Sequence, residues 1–255
     1  MTVNESPAAD AAWATPFFAG RRILVTGGTS GIGAAIASGF NVSGASVTAT
    51  GATDNEVEAA RAQGSAEIEF RQLDVRDRDA VETLVTSFDA LDVVVNCAGI
   101  IRRGEELDPD VFAAVVDVNL TGTMRVCAAA RPLLAHSGVG AIVNLASVLT
   151  FQGGGLVPGY SASKGGIGQM TKSLAIAYAD DGIRVNAVAP GWIATPLTSA
   201  LQADPARSEV ILARTAMKRW GQPQDIVGGV LFLASPAAAF ITGAILPIDG
   251  GYLAT

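Results

Sequence analysis

Short apolar runs alternate with longer amphipathic or small-residue segments along the chain. Apolar runs of this length, bounded by glycine or polar residues, indicate β-strands, whereas apolar spacings of three and four indicate helices. Residues 91–96 are apolar throughout after Asp92, which is typical of a parallel strand covered on both faces. The pattern predicts strands at 22–26, 46–50, 68–73, 91–96, 141–146, 184–188 and 244–248. It predicts helices at 34–40, 56–63, 77–88, 160–178 and 225–234, and a long helix from Asp108 past Val118 towards Arg131.

Strands and helices in this alternation predict an α/β fold, with a doubly wound, parallel seven-stranded sheet between helices. No Pro-rich, Ser-rich or charged linker divides residues 21–255, so we expect a single domain. Residues 1–20 contain no Lys or Arg and so lack the positive start of a secretory signal. They are predicted to be a flexible leader, with Phe17 and Phe18 docking onto the first strand. The irregular stretch 191–221 follows the sixth strand at the ligand-binding edge and is predicted to be a substrate lid.

Composition narrows the classes of function. Hydrophobic residues make up 49% of the 255 residues and charged residues 16%, so the chain can bury a large core. The net charge of −7 argues against a nucleic-acid or membrane partner, and no apolar run approaches the ~20 residues that span a bilayer. One histidine excludes a His-rich metal site, and no metal is expected. Cys97 and Cys127 are predicted to be reduced thiols in the core of a cytoplasmic protein.

A glycine-rich turn separates the first predicted strand from the first predicted helix. Residues 26–33 space three of their glycines as G-x-x-x-G-x-G. Glycines let the backbone approach a ligand closely, and the N-terminus of the following helix offers free N–H groups to a pyrophosphate. A purely structural turn is the alternative, but the strand–turn–helix context favours nucleotide binding.

Tyr160 and Lys164 lie four residues apart in a predicted helix, so their side chains share one face. An ammonium group beside a phenol favours the phenolate, which would let Tyr160 exchange a proton with a carbonyl or hydroxyl oxygen near neutral pH. A packed tyrosine beside a solvated lysine is the alternative. Ser147 supports a catalytic role for this pair, because it ends the fifth strand at the edge that carries the glycine turn. Asn119 also supports a catalytic role, because a buried amide within a helix needs a partner, such as a catalytic water.

Together these motifs resemble those of the short-chain dehydrogenase/reductase family over residues 20–252. The matching segments are 26–33, Asp74-Val75, 96–99, Asn119, Ser147, Tyr160 with Lys164, Asn186, Pro190-Gly191 with Thr195, and 249–251. The resemblance implies a Rossmann-like fold and an NAD(P)-dependent oxidoreductase that interconverts a secondary alcohol and a ketone. It implies that Tyr160 is the general acid/base and that Lys164 lowers the pKa of Tyr160 and holds the nicotinamide ribose. Ser147 would bond the substrate oxygen, and Asn119 would support a water-linked proton relay.

The resemblance also implies which residues hold the cofactor. Asp74 and Val75 would contact the adenine, and Thr195 would hold the carboxamide. The full expected set is Gly27, Thr29, Ser30, Gly31, Ile32, Gly33, Asp74, Val75, Asn96, Ala98, Gly99, Tyr160, Lys164, Pro190, Gly191, Ile193 and Thr195. Cys97 stands where the family usually has a second Asn, and we expect a packing change there. Family members are usually tetrameric or dimeric, so a homotetramer or homodimer is expected.

Further segments resemble bacterial sugar-acid dehydrogenases within the family, which implies a substrate of the 2-deoxy-gluconate or 2-dehydro-3-deoxy-gluconate type. These segments are 98–103, 147–154, Val157-Pro158, Arg207-Ser208 with Ile211-Leu212, 219–221 and 249–254. Arg102 and Arg103 follow the fourth strand, where a guanidinium would bind a carboxylate; two solvated loop charges are the alternative. The expected substrate contacts are Arg102, Arg103, Ser147, Gln152, Tyr160, Trp192 and Arg214. Rival functions are a polyol dehydrogenase, a 3-oxoacyl-thioester reductase and a non-catalytic nucleotide-binding regulator.

The end of the second strand bears on the choice between NAD and NADP. An acidic residue there binds the ribose hydroxyl of NAD, whereas Arg supports the 2′-phosphate of NADP. Gly51 stands where the family usually has the acidic residue, and Ser30 and Ala52 stand where NADP-binding members often carry Arg or a hydroxyl. Because no cation is present for a phosphate, NAD is favoured. Asp54 could still reach the ribose, and Thr53 could bond a phosphate.

Overall fold

The computed structural model describes residues 11–255, and the strands in this range form one parallel sheet. They are β1 (Arg22–Thr26), β2 (Ser46–Gly51), β3 (Glu69–Gln72), β4 (Val93–Asn96), β5 (Ala141–Leu145), β6 (Arg184–Pro190) and β7 (Ile245–Ile248). Their order across the sheet is β3-β2-β1-β4-β5-β6-β7, and each adjacent pair is parallel. The predicted doubly wound parallel sheet is therefore confirmed.

Helices connect the strands on both faces of the sheet. They are α1 (Thr15–Phe18), α2 (Gly31–Val42), α3 (Asp54–Gln63), α4 (Arg78–Thr86), α5 (Pro109–Val116), α6 (Thr123–Ser137), α7 (Pro158–Ala177), α8 (Ser199–Gln202), α9 (Pro205–Arg214) and α10 (Pro223–Ala234). Pro158 and Pro223 each stand in the first turn of a helix, where the missing N–H group has no helical partner to lose. These two helices therefore begin two residues before the first position that the hydrophobic pattern indicated.

Alternate residues of each central strand face opposite layers of helices. In β1, Ile23 and Val25 belong to the hydrophobic cluster that contains Ile36 of α2 and Ile226 of α10. Leu24 belongs to the opposite cluster, which contains residues of α4, α6 and α7. Both faces of the sheet are covered in this way, so the strands are apolar throughout and the open edge for a ligand is at the strand ends.

The register of the sheet places polar residues in a row at the carboxyl ends of the central strands. Thr26 of β1 is opposite Asn96 of β4, and Asn96 is opposite Asn144 of β5. All three are nearly or fully buried. The glycine-rich turn and Ser147 follow β1 and β5 directly, so this register brings both to the same edge.

Part of the predicted leader packs on the domain. Residues 11–14 form a short 3₁₀ helix that continues into α1. Phe18 is 2% exposed, and its ring meets the Phe40 ring of α2 edge to face at 4.9 Å. Residues 11–18 of the predicted leader therefore belong to the packed fold, since leaving Phe18 in water would forfeit this burial. Residues 1–10 lie outside the described residues.

The helical run Pro109–Ser137 has the length and composition of a membrane span, with a mean hydropathy of 1.3. Within the fold its inner side covers the sheet. Val126, Ala130 and Leu134 are fully buried and belong to the same cluster as Val94 of β4. Packing against the sheet thus accounts for the buried third of its most apolar 18-residue window.

Candidate active site

The glycine-rich turn leads from β1 into α2 and makes contacts that a side chain would block. Gly27 and Gly31 have positive φ angles of +62° and +53°. A Cβ on Gly27 would lie 2.7 Å from the backbone nitrogen of Ala98, and one on Gly33 would lie 2.1 Å from the carbonyl oxygen of Gly27. The turn is thus pressed against the segment after β4 and against the start of α2.

The N-terminus of α2 opens into a cleft at the carboxyl edge of the sheet. Ser30 precedes the helix, yet its hydroxyl makes no capping hydrogen bond. The first backbone N–H groups of the helix therefore remain available to an anion. Thr29, Ser30 and Gly31 line this cleft together with Thr195. The close backbone approach and the free N–H donors fit a pyrophosphate. Ile32, which was also predicted to bind the cofactor, turns inward and packs against the core.

The end of β6 approaches the same turn. Pro190 is the last residue of β6 and is buried. A Cβ on Gly191 would lie 2.7 Å from the Cα atom of Asp249, so β6 leaves the sheet tightly packed against the segment after β7. A Cβ on Gly31 would lie 3.4 Å from the methyl carbon of Thr195. The segment after β6 therefore forms one wall of the cleft.

Both ends of segment 191–221 are joined to each other. Ile193 is 4% exposed and forms a parallel bridge with Gly221. The Ala194 N–H donates to the Gly221 carbonyl oxygen at 2.8 Å, and the Gly221 N–H donates to the Trp192 carbonyl oxygen at 2.9 Å. The segment, which contains α8 and α9, thus leaves and rejoins the fold at one point beside the cleft.

Tyr160 and Lys164 lie in the first turns of α7, and Ser147 follows β5. Lys164 is 4% exposed. Its Nζ lies 5.5 Å from the centre of the Tyr160 ring and donates a hydrogen bond to the Leu145 carbonyl oxygen at 2.6 Å. The Ser147 Oγ accepts from the Leu149 N–H at 3.1 Å and is also within hydrogen-bonding reach of Tyr160. The structure brings these three predicted residues together.

In the protein alone, burial and not Lys164 sets the direction of the Tyr160 pKa shift. Burial raises the pKa of Tyr160 to about 12; the Ser147 hydrogen bond works against this rise, and the Glu106 carboxylate adds to it. Burial also lowers the pKa of Lys164 to about 8. The Lys164 amine is itself desolvated and donates to a backbone carbonyl, so it does not offset the burial of the phenol.

The lowered pKa of Lys164 predicts a pH-dependent stability. Its folded-state pKa, about 8, lies below the ordinary value of 10.5, so the unfolded chain binds more protons between these values. The contribution of Lys164 to stability is therefore least favourable below about pH 8 and improves as the pH rises towards 10.5. We expect the free energy of unfolding of the wild type, minus that of Lys164→Met, to rise by about 1 kcal/mol between about pH 7 and pH 9. Urea unfolding measures it, and a difference that is constant with pH contradicts the prediction.

Asn119 lies at a distortion in the helix that was predicted to be continuous from Asp108. The segment divides into α5, a π-helical turn (Asp117–Gly122) and α6. The Asn119 Oδ1 accepts from the Ile100 N–H at 2.8 Å, and its Nδ2 donates to the Ile100 carbonyl oxygen at 3.0 Å and to the Ser163 Oγ at 3.1 Å. Asn119 is fully buried, so protein groups satisfy the amide for which a water was a predicted partner. Single π-helical turns often occur at functional sites.

The segment after β4 passes close to the same side chains. A Cβ on Gly99 would lie 3.3 Å from the Asn119 Oδ1 and 3.9 Å from the Lys164 Nζ. Burial raises the pKa of the neighbouring Cys97 thiol to about 12, although the Lys164 charge lowers it. Cys97 therefore stays a neutral thiol at neutral pH and acts as a small packing residue beside Lys164.

Several predicted cofactor residues make their polar contacts within the protein. Asn96 is 3% exposed, and its Nδ2 donates to the Asn144 Oδ1 at 2.9 Å, which ties β4 to β5. The Asp74 carboxylate accepts from the Arg76 guanidinium at 2.6 Å, and this hydrogen bond holds the pKa of Asp74 below its usual range. Val75 is 4% exposed and faces the π-helical turn at Gly122. Asn96 thus orders the strand ends from behind the cleft.

The predicted substrate residues fall into two groups, and the first lies after β4 and β5. Arg102 and Arg103 are exposed, and neither guanidinium has a hydrogen bond or ion pair within residues 11–255. Gln152 is half-buried and follows a short 3₁₀ helix after Ser147. These side chains are available to a ligand.

The second group gathers around Tyr252, which lies near the end of the sequence. The ring of Trp192 lies 6.2 Å from the Tyr252 ring, and the Arg214 guanidinium lies 4.4 Å above its centre. The Trp192 Nε1 is buried and has no hydrogen-bond partner within residues 11–255. Trp192 and Arg214 therefore belong to one cluster, which joins the start of segment 191–221 to the end of α9.

Glu106 is a residue of the site that the sequence does not reveal. It is 1% exposed, although it stands beside Glu105 and reads as part of a solvated acidic pair. Its Oε1 accepts from the Arg102 N–H at 2.7 Å, and its Oε2 accepts from the Tyr160 N–H at 2.7 Å. One buried carboxylate thus links the arginine loop to the helix that carries the tyrosine. Burial alone distinguishes it from Glu105.

The cleft, the turn and the Tyr160–Lys164 pair have the arrangement that the motif resemblance implies for a nicotinamide-dependent oxidoreductase. The sequence profile of a family described as enoyl-(acyl carrier protein) reductase matches residues 27–253. The chain belongs to the short-chain dehydrogenase/reductase family, which confirms the resemblance seen in its motifs. It is an oxidoreductase that acts on an alcohol group and the corresponding carbonyl.

Particular relatives cover nearly the whole chain. The chain is 40% identical over 248 residues to 2-dehydro-3-deoxy-D-gluconate 5-dehydrogenase of Pseudoalteromonas atlantica, covering 92% of this chain and 96% of the relative. It is 39% identical to cis-4-hydroxycyclohexanecarboxylate dehydrogenase of Sinomonas cyclohexanicum, covering 93% and 98%. It is 33% identical to the crystal structure of a gluconate 5-dehydrogenase from Burkholderia cenocepacia in complex with NADP and tartrate, with a TM-score of 0.88 and coverage of 96% and 99%.

Proposed function

We propose that the chain oxidises a secondary alcohol of a sugar acid, or reduces the corresponding ketone, with NAD(P). The substrate is of the 2-deoxy-gluconate or 2-dehydro-3-deoxy-gluconate type. The observation that carries the proposal is the convergence of Tyr160, Lys164 and Ser147 beside the segment after β4, against which the glycine turn also packs. The substrates named for the three relatives are all carboxylic acids that bear a hydroxyl or keto group.

The chemistry divides between proton transfer and hydride transfer. Tyr160 gives a proton to the substrate oxygen or takes one from it, and Ser147 hydrogen-bonds the same oxygen. A bound nicotinamide cofactor supplies the hydride donor or acceptor. In the protein alone burial raises the pKa of Tyr160 to about 12, so the phenol is protonated at neutral pH and carries the proton that reduction of a ketone requires. In the direction of oxidation the phenol must lose a proton, and the nearby Lys164, with a pKa of about 8, can accept or release one near neutral pH.

Asn119 acts by holding the catalytic helix. Its Nδ2 donates to the Ser163 Oγ, and the Ser163 hydroxyl donates to the Tyr160 carbonyl oxygen at 2.7 Å. The same amide hydrogen-bonds both the N–H and the carbonyl oxygen of Ile100, which follows β4. Asn119 therefore fixes Tyr160 relative to the segment that leads to Arg102. The proposed water-linked relay would start from this fixed arrangement.

The cofactor is proposed to lie along the cleft between the glycine turn and the segment after β6. The turn from Gly27 to Gly33 and the N-terminus of α2 hold the pyrophosphate. Lys164 holds the nicotinamide ribose, and Thr195 holds the carboxamide. We propose NAD as the preferred cofactor because no Arg or Lys lines the described part of this cleft. The bound NADP in the Burkholderia cenocepacia enzyme belongs to that enzyme.

The arginine loop is proposed to bind the substrate carboxylate, with Gln152, Trp192 and Arg214 contacting the rest of the sugar. Arg102 is the better placed arginine, because its backbone is tied through Glu106 to the Tyr160 backbone. Segment 191–221 would close over the substrate as a lid. A bidentate guanidinium–carboxylate pair places a sugar acid in one orientation, which a neutral polyol could not match.

Removal of the arginine charges predicts a loss specific to the carboxylate. The double variant Arg102→Met with Arg103→Met is expected to raise KM for a sugar acid about 10- to 100-fold, because each charged hydrogen bond contributes about 1.5–3 kcal/mol. KM for the methyl ester of the same acid is expected to change less than about threefold. Arg78→Met, on the exposed surface of α4, serves as the control. Equal losses for acid and ester would contradict the proposed contact.

A substrate panel tests the function as a whole. Absorbance of the reduced cofactor is followed with sugar acids, neutral polyols and 3-oxoacyl thioesters, each with NAD and NADP. The highest kcat/KM is expected for a sugar acid. A preference for 3-oxoacyl thioesters would favour the reductase alternative, and cofactor binding without turnover on any substrate would favour a nucleotide-binding regulator.

We also propose that the protein acts in the cytoplasm as a homotetramer or homodimer. The location is supported by Cys97 and Cys127, which are free thiols. The assembly is supported by membership of a family whose members are usually oligomeric, and sedimentation or light scattering tests it.

A further inference from the structure

Glu56 places a carboxylate at the carboxyl end of β2. It lies in the first turn of α3 and reaches back, so that its Oε2 accepts from the Ala52 N–H at 2.6 Å and from the Thr53 N–H at 3.3 Å. The Thr53 Oγ1 in turn accepts from the Glu56 N–H, which completes a capping box. Two adjacent backbone N–H groups at the end of the strand are thus occupied by one internal carboxylate.

Gly51, the last residue of β2, packs closely between Thr29 and Glu56. A Cβ on Gly51 would lie 2.8 Å from the methyl carbon of Thr29 and 3.1 Å from the Cβ of Glu56. Gly51 therefore has no room for the acidic side chain that commonly stands at this point. Thr29 of the phosphate-binding turn and Glu56 of α3 instead both lie beside the Gly51 backbone.

The charge around this point is negative. The cleft beside the turn is lined by Thr29, Ser30 and residues of α2 and α3, and Glu56 is the one charged side chain on its described lining. The Ala52 side chain, at the start of the next turn, carries no cation. A ligand group that bears further negative charge would therefore meet a carboxylate and no compensating base.

We propose that Glu56 selects NAD over NADP, in place of an acidic residue at the end of β2. The proposal rests on the proposed function, because it requires a dinucleotide on the glycine turn with its adenine ribose over the end of β2. The Glu56 carboxylate occupies the backbone N–H groups that a 2′-phosphate would use as donors. It also repels the phosphate, which carries about −1.5 to −2 charges at neutral pH. A ribose hydroxyl brings no such charge and can donate to the carboxylate.

Glu56→Gln tests the charge while keeping the shape. The amide oxygen of Gln can still accept from the Ala52 N–H, so the start of α3 is expected to stay folded. The dissociation constants of NAD⁺, NADP⁺, 5′-AMP and 2′,5′-ADP are measured by quenching of tryptophan fluorescence, without substrate. In the wild type we expect NAD⁺ to bind more tightly than NADP⁺. In Glu56→Gln we expect NADP⁺ and 2′,5′-ADP to bind about tenfold more tightly, with NAD⁺ and 5′-AMP within about threefold of the wild type.

Two further variants separate charge selection from a general effect on α3. Glu58→Gln removes an exposed carboxylate two residues along the same helix and is expected to leave all four dissociation constants unchanged. Ala52→Arg combined with Glu56→Gln adds a cation and is expected to reverse the preference towards NADP⁺. Tighter binding of NADP⁺ than NAD⁺ by the wild type, or equal changes for both cofactors in Glu56→Gln, would overturn the proposal. Failure of the wild type to bind either cofactor would instead overturn the proposed function.

Discussion

Tyr160→Phe is expected to lower kcat about 100- to 10,000-fold, which is the range that a positioned acid or base contributes. The variant removes one hydroxyl and keeps the ring, so the packing of α7 is preserved. The hydroxyl is the group within reach of Ser147, and it is the proposed donor of the proton to the substrate oxygen. Because the phosphate-binding turn is untouched, we expect the dissociation constant of the cofactor to change less than about threefold.

Steady-state kinetics with the best sugar acid, together with fluorescence titration of the cofactor, measure both quantities. Tyr178→Phe is the matched control. Tyr178 lies at the far end of α7, where its ring stacks on the Arg131 guanidinium at 4.6 Å, so the loss of its hydroxyl should leave kcat unchanged. A Tyr160→Phe enzyme with wild-type turnover would remove the proposed mechanism.

The fold follows closely from the hydrophobic pattern because strand burial and strand sequence are directly coupled. β4 is apolar on both faces, and both faces are covered by helices, so its identity as a central parallel strand could be predicted. The placement of Ser147 at the ligand edge followed from the same reasoning, since a residue after a parallel strand lies at its carboxyl end. The approach of Tyr160 to Lys164 followed from helical periodicity.

Other features depend on tertiary environment, which residue types do not encode. The direction of the Tyr160 pKa shift depends on how far each partner is desolvated, and here burial outweighs the neighbouring amine. Asn96 is the last residue of β4 and Ser147 follows β5, yet the Asn96 amide turns to Asn144 in the neighbouring strand. The π-helical turn at Asn119 inserts one residue into a helix whose composition is otherwise regular.

The burial of Glu106 also could not be predicted from the sequence, because a carboxylate beside another carboxylate normally lies in water. Its burial becomes intelligible once the start of α7 is considered. Val157 precedes that helix and provides no side-chain cap, so the Tyr160 N–H needs an acceptor from elsewhere. Glu106 supplies it across the fold and takes the Arg102 N–H with its other oxygen. We infer that Glu106 is a positioning residue for Tyr160.

Glu106→Ala is expected to lower the free energy of unfolding by about 3 kcal/mol, because it leaves two backbone N–H groups without their charged acceptor. A loss of this size corresponds to about 10 °C in Tm for a domain of this length. Glu106→Gln keeps the volume but turns an NH₂ group towards one of the two donors, so we expect an intermediate loss. Thermal unfolding of both variants measures this effect, with the exposed neighbour variant Glu105→Gln as the control.

The pH profile distinguishes positioning from stability alone. The Glu106 carboxylate raises the pKa of Tyr160, so its removal favours the phenolate and lowers that pKa. For Glu106→Gln we therefore expect the acidic limb of kcat/KM in the direction of oxidation, on which the phenol loses its proton, to move to lower pH. We also expect kcat to fall about tenfold because the phenol is displaced. A purely structural residue would lower Tm without moving the profile. An unshifted profile with unchanged kcat in the folded Glu106→Gln enzyme would contradict the positioning role. The carboxylate would then have no effect on the Tyr160 phenol.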